Sequence, residues 1–151
     1  ITGKSNAKEY LVHLGATRVE PREFVNDTSG KALIRSKWAG AVDTVGGNTL
    51  NTLLKGCKLE GNVVSTGMVE SPALEGTVFP FILNGVNLLG VGSAETPATT
   101  RKLIWDRLCN EWSIKDKLSV IGKQVTLEEL TSNSIEANHD GKIMGRIVVR
   151  I

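Results

Sequence analysis

The chain has 151 residues, 40% of them apolar and 23% charged, with a net charge of +2, a balance expected of one soluble globular domain with a sizeable core. No apolar run approaches the roughly 20 residues that cross a bilayer, and the basic residues are scattered among acids, so neither a membrane span nor a nucleic-acid surface is expected. Cys57 and Cys109 both fall on the apolar stripes of predicted helices, where reduced buried thiols are expected rather than a disulfide or metal ligands, and this favours the cytoplasm.

The chain opens on Ile1-Thr2-Gly3 without a Met or a signal-peptide pattern, and reads as the tail of a strand entering a turn, so an upstream segment is expected. Ser5 or Asn6 is placed to cap a helix whose apolar face is Ala7, Tyr10, Leu11 and Leu14, with Gly15 ending it. Residues 16–20 then read as a short strand closed by Pro21. Lys4 follows one strand and Arg22 the next, so parallel neighbours would bring both cations to one sheet edge, where a phosphate could be held. The same two residues read equally as solvated surface charges.

Residues 23–37 mix apolar positions with the Asn26-Asp27-Thr28-Ser29-Gly30 turn cluster, which predicts a short helix, a loop and a second short helix leading to Trp38. Residues 41–45 form an apolar run holding one acid, Asp43, and stop at Gly46-Gly47. Asn48, Leu50, Leu53, Leu54 and Cys57 then recur at helical spacing. In an open α/β sheet this strand, turn and helix put residues 43–47 at the rim of a binding crevice; the alternative is an ordinary strand-to-helix turn.

A further strand is predicted over 61–67, a loop over 68–76, a helical turn over 79–83 and a strand over 86–93. The last is apolar on both faces, as in covered, mostly parallel sheets. Thr96-Pro97 predicts a helix start with a capping hydroxyl and Pro at the first helical position. In that helix Ile104, Leu108 and Trp112 make an inward stripe. A strand over 123–127, a short helix over 128–138 and a final strand over 145–151 follow.

Catalytic motifs are sparse. There is no Gly-x-Ser-x-Gly elbow, Cys-x-x-Cys, His-Glu-x-x-His or Walker loop. His13 and His139 read as surface residues, Glu128 and Glu129 would point in different directions on a helix, and Ser65 and Thr66 have no evident base. No catalytic residue and no metal ligand is assigned.

Thr2-Gly3-Lys4, Tyr10-Leu11 with Leu14-Gly15-Ala16, Val19 through Pro21-Arg22, Trp38 through Gly46, Pro80-Phe81-Ile82-Leu83, Leu89-Gly90-Val91 with Ser93, and Gly145 through Val149 occur in a characteristic order. In these the sequence resembles, nearly end to end, the C-terminal half of zinc-free quinone oxidoreductases of the medium-chain dehydrogenase/reductase superfamily, in the branch that includes acryloyl-CoA reductases. The resemblance implies an α/β fold: a partial Rossmann, doubly wound parallel sheet without its first strand and Gly-rich turn, plus C-terminal strands that return toward an absent GroES-like catalytic domain. Residues 1–112 would be the NADP-binding part and 113–151 the returning segment. The missing strand is central in the order 3-2-1-4-5-6, so open edges prone to pairing are expected.

Carried over by position, the resemblance implies that Thr2, Gly3 and Lys4 receive the adenosine ribose. Lys4 and Arg22 would take the 2′-phosphate, which favours NADP. Val45 and Gly46 would lie near the dinucleotide, Met68 near the nicotinamide half, and Ile82 and Ser93 would make further cofactor contacts. Gly141, with Asp140 before it, stands where the family often has Asn before a basic residue. The implied reaction is hydride transfer from NADPH to an acryloyl-CoA-like enoyl thioester or a quinone, in a homodimer formed through the 86–93 strand edge. The fragment alone is expected to be inactive. Two other readings differ in class: a non-catalytic nucleotide-binding or assembly module on half a Rossmann sheet, and an α/β domain that binds no dinucleotide.

Overall fold

Leu50, Leu53 and Leu54, at the i, i+3, i+4 spacing of one helical face, are all buried in the computed structural model, and burying each contributes about 1.5–3 kcal/mol. They belong to helix α2 (Gly47–Lys55), the centre of a core that also holds Val25, Cys57, Val63 and Val86, with Phe24, Trp38, Ala41, Phe81 and Leu88 packed against it. The structure describes all residues except Thr131, and at Ser132 and Asn133 the backbone only. They form two compact units, residues 1–6 with 17–96, and residues 7–16 with 97–151.

The first unit is a three-stranded parallel sheet, β1 (Trp38–Asp43), β2 (Cys57–Ser65) and β3 (Asn87–Gly90), in the order β1-β2-β3. Helix α2 and helix α3 (Phe79–Asn84) cross between the strands and lie on one face. Alternation assigns the faces: Ala41, Asp43 and Val63 point to the helices. Val42, Val64 and Leu89, which share one row of the register, point the other way, and Val42 and Leu89 are exposed. The expectation that the third strand is buried on both sides is therefore corrected. It is a short edge strand whose second face is open, because both helices of this unit follow the same side of the sheet.

Several boundaries differ from the sequence reading for identifiable reasons. Residues 16–20 form no strand: the Thr2 N–H bonds the Glu20 carbonyl (3.0 Å) and a single parallel bridge joins Thr2 to Pro21, whose missing N–H stops the ladder. The second short helix before Trp38 is also absent, and only a 3₁₀ turn at Arg22–Val25 forms. The N–H groups of Ile34 and Lys37 bond instead to the carbonyls of Lys55 and Gly56 (3.2 and 2.9 Å), at the end of α2. β1 begins and ends earlier than 41–45. Cys57 is not on the helix but opens β2, buried, and there the pairing shifts around Glu60, a non-glycine residue at φ 56°.

In the second unit, α1 (Lys8–His13) presents Ala7, Tyr10, Leu11 and Leu14 as its less exposed side and ends at Gly15, φ 111°. α4 (Ala98–Cys109) buries no residue, so the inward stripe assigned to Ile104, Leu108 and Trp112 is corrected: all three are exposed, as is Cys109. Pro97 stands outside the helix as its N-cap, and the Thr96 hydroxyl donates to the Gly92 carbonyl (3.3 Å) instead of capping. α5 (Leu118–Ile121) leads into β4 (Gly122–Thr126), which pairs in parallel with β5 (Arg146–Arg150) as a sheet of two strands. Between them α6 (Ser132–His139) begins later than residue 128. The turn at 127–129 is closed by the Glu129 carboxylate on the Thr126 N–H (2.8 Å) and the Glu129 N–H on the Thr126 hydroxyl (3.3 Å). The part of the 128–138 expectation that falls on Thr131 lies outside the described residues. Among the described residues no helix is long and apolar enough to cross a membrane.

Candidate nucleotide site at the carboxyl ends of the parallel strands

Two hollows in the first unit hold most of the residues singled out in the sequence. One, of about 510 Å³, is lined by Ile1, Thr2, Gly3, Lys4 and Arg22 and by the β1 edge with the turn after it, including Asp43, Thr44 and Val45. The structure thus brings Lys4 and Arg22 to one cavity. The Lys4 N–H donates to the Thr2 hydroxyl (3.1 Å), fixing the turn. Gly3 lets its neighbour pack close: a Cβ there would stand 2.6 Å from Arg22 Nε, so the guanidinium lies directly against the glycine backbone.

The second hollow, of about 690 Å³, is lined by Gly46 and Leu50, by residues 65–68 including Met68, and by Gly90, Val91 and Gly92. It lies at the carboxyl ends of β1, β2 and β3, where ligands bind in open parallel sheets. Ile82, exposed on α3, and Ser93, in the 3₁₀ turn Ser93–Glu95, line neither hollow.

Asp43, expected at this rim as the one acid in its apolar run, organises it. Asp43 is 2% exposed. Its Oδ1 accepts from the Val45 N–H (3.1 Å), and its two oxygens accept from the Gly46 N–H at 3.2 and 3.0 Å, an Asx turn that satisfies a buried carboxylate with backbone donors. Gly46 then takes φ 75°, ψ −158°, a conformation essentially confined to glycine. A Cβ there would overlap the Ser71 carbonyl oxygen. A nearby ion pair, Lys55 with Asp27, holds residues 26–30 against α2. The Lys55 ammonium, followed by the Ser29 hydroxyl, keeps the Asp27 carboxyl below its ordinary range. Burial raises the Cys57 thiol above its ordinary value. Among the described residues no cluster of His, Cys, Asp or Glu is arranged to hold a metal.

A parallel sheet with crossover helices and glycine turns at its carboxyl edge is of the nucleotide-binding α/β class. Known proteins give that class its particular members. The chain is 37% identical over 150 residues to the quinone oxidoreductase YhfP of Bacillus subtilis, covering 99% of this chain and 45% of that protein. It is 35% identical over 151 residues to the acrylyl-CoA reductase AcuI of Ruegeria pomeroyi, covering 100% and 45%. The crystal structure of YhfP with NAD bound superposes with a TM-score of 0.88 at 38% identity, over 99% of this chain and 45% of that one. The YhdH oxidoreductase of Salmonella enterica, in complex with NADP, superposes with a TM-score of 0.88 at 32% identity, over 99% and 45%. No family model matches. The chain is a homologue of the C-terminal half of these oxidoreductases of the medium-chain dehydrogenase/reductase superfamily, and spans about half the length of the relatives it matches. Its fold is the corresponding partial Rossmann α/β sheet.

Proposed function

We propose that this chain is the nucleotide-binding part of an NADPH-dependent, zinc-independent oxidoreductase that delivers hydride to an activated C=C, in an enoyl thioester of the acryloyl-CoA kind, or to a quinone. The observation that carries the reading is the convergence of Lys4 and Arg22 on one cavity, beside the Thr2-Gly3 turn and Val45. Two cations suit a doubly charged 2′-phosphate, and a guanidinium offers it a bidentate fork. The residues fit such a group, since Gly3 leaves the Arg22 guanidinium lying along the cavity wall.

In this reading Lys4 and Arg22 bind the 2′-phosphate, and Thr2 and Gly3 shape the ribose turn. Val45, Gly46 and Met68 wall the path toward the nicotinamide half, and Ile82 and Ser93 are assigned as further contacts by likeness alone. A bound NADPH supplies the hydride, and the protein supplies orientation and electrostatics. The substrate-side groups and the proton donor are assigned to the part of the relatives that this chain does not cover. The 151-residue chain is therefore expected to bind nucleotide weakly and to turn nothing over.

The open edges support the same reading. Among the described residues β1 leaves one edge without a neighbouring strand, beside Ile1 and Thr2, and β4 and β5 pair only with each other, an arrangement that calls for further strands and cover. We assign residues 113–151 to strands of a catalytic domain, and residues 1–112 to the cofactor domain. The edge at β3, with Leu89 and Val91 exposed, is assigned to a homodimer contact. The cytoplasmic assignment rests on Cys57 and Cys109, both unpaired thiols.

Titration of the chain with 2′-phospho-AMP against AMP tests the proposal. Binding of the phosphorylated compound should be tighter by about tenfold or more, and Lys4→Ala with Arg22→Ala should erase the difference. Equal binding of the two nucleotides by the unaltered chain refutes the NADP reading.

A further inference from the structure

The turn after β1 and the loop after β2 are joined backbone to backbone. The Thr66 N–H bonds the Asp43 carbonyl (2.8 Å), the Glu70 N–H bonds the Val45 carbonyl (2.8 Å) and the Gly47 N–H bonds the Ser71 carbonyl (3.1 Å), while Gly46 and Ser71 form a parallel bridge. Gly67 completes the contact, since a Cβ on it would come within 2.5 Å of the Thr44 carbonyl oxygen. The Thr66 bond continues the β1–β2 ladder, whereas the bonds of Glu70 and Gly47 and the Gly46 bridge need residues 44–47 in the conformation that the buried Asp43 carboxylate sets through the Val45 and Gly46 N–H groups. Val45 lines the first hollow and Met68, carried by the second loop, lines the other.

We propose that Asp43 is a positioning residue, whose carboxylate locks the 44–47 turn and the 66–71 loop into one rigid rim and so places Val45 and Met68 along a bound dinucleotide. The binding half of this inference rests on the NADPH reading above. The lock itself does not. Without the carboxylate, the Val45 and Gly46 N–H groups lose their acceptor, Gly46 is no longer held in its glycine-only conformation, and the bonds to Glu70 and Ser71 lose their register. Asparagine keeps Oδ1 as the acceptor of the Val45 N–H but sets an N–H donor where Oδ2, the nearer acceptor of the Gly46 N–H, stands.

Amide hydrogen exchange on the 151-residue chain reads the lock directly. In Asp43→Ala the amides of Gly47 and Glu70 should lose protection by at least about tenfold, while those of β2 within Asn62–Val64 keep theirs. In Asp43→Asn the Gly46 amide should lose protection and Val45 retain it, a comparison that stands even if the alanine variant fails to fold. Unchanged exchange at Glu70 in the alanine variant, or at Gly46 in the asparagine variant, overturns the lock. NADPH titration reads the consequence: affinity should fall about tenfold in Asp43→Ala and recover in part in Asp43→Asn. Equal affinity in all three overturns the positioning role, whereas an unaltered chain that shows no preference for NADPH defeats the cofactor reading and leaves the exchange result to decide the lock.

Discussion

The Lys55 Nζ and the Asp27 Oδ2 stand 2.5 Å apart, with side chains only 9% and 15% exposed. The pair closes a clasp: the Asp27 N–H donates to the Thr52 hydroxyl (2.9 Å) and the Asn48 amide donates to the Asp27 carbonyl (3.1 Å). Residues 26–27 are thereby bound to three positions along α2. This is why Thr52 and Lys55 are buried although they lie off the leucine face. Replacing Lys55 by Met leaves a shielded carboxylate with its main partner gone. The expected cost is about 1–3 kcal/mol, between an exposed pair and a fully buried one, read as a lower denaturant midpoint at unchanged slope. A midpoint equal to that of the parent chain would show that the pair contributes nothing.

The same clasp gives a pH dependence of known sign. The folded-state value of Asp27 is depressed below 3.8, first by the Lys55 hydrogen bond and then by Ser29. A depressed carboxyl contributes stability that is complete above its unfolded value and is lost as pH falls through the folded one. Asp27 should therefore leave the unfolding midpoint unaffected from neutrality to somewhat above pH 3.8 and lower it below that. Lys55→Met should flatten this acid limb. An acid limb of equal steepness in both proteins would assign it to other carboxylates.

Gly46 admits no side chain. Its φ of 75° with ψ −158° is strained for any L residue, and a Cβ would overlap the Ser71 carbonyl. Gly46→Ala should cost at least about 2 kcal/mol and break the bridge to Ser71. A thermal melt checks the first outcome and amide exchange at Gly47 the second; a variant as stable as the parent chain contradicts the geometry.

The two thiols should react at very different rates. Cys57 is fully buried, with its thiol pushed up by desolvation, whereas Cys109 is exposed. Iodoacetamide on the native chain should modify one thiol, which peptide mapping should place at Cys109, with Cys57 reacting only after unfolding. Early modification of Cys57 would show that β2 opens readily.

What was legible in the sequence follows from what each signal physically encodes. α2 and the strands on either side of it were readable because Leu50, Leu53, Leu54 and Val63 belong to one core, and burial writes periodicity into sequence. The stretch after the 26–30 turn was misread as a helix because the Ile34 and Lys37 N–H groups bond the end of α2 rather than each other, an arrangement without a period. In α4, Ile104 and Leu108 do share a stripe, while Trp112 lies beyond the helix end, and periodicity states which residues lie together and not what covers them. At the site, the order of glycines and cations led to Lys4, Arg22 and Gly46. Asp43 was placed at the rim by its strand and turn, but its role was not visible, because that depends on which amides the following turn points back at it.

Gly3 offers a way to move Arg22 without removing it. The backbone at Gly3 is not in the left-handed region, and the atoms a Cβ would meet, at 2.6 and 2.9 Å, belong to the Arg22 guanidinium, the far end of a flexible side chain. Gly3→Ala should therefore change stability by no more than about 0.5 kcal/mol, because the guanidinium swings aside at little cost. It should still lower affinity for 2′-phospho-AMP severalfold, since the fork no longer lies along the cavity wall, and leave AMP binding unchanged. Parallel titrations of the two nucleotides against parent and variant separate these effects. A variant that loses both nucleotides equally would mean that Gly3 shapes the ribose turn alone, and one that loses neither would place the phosphate away from Arg22.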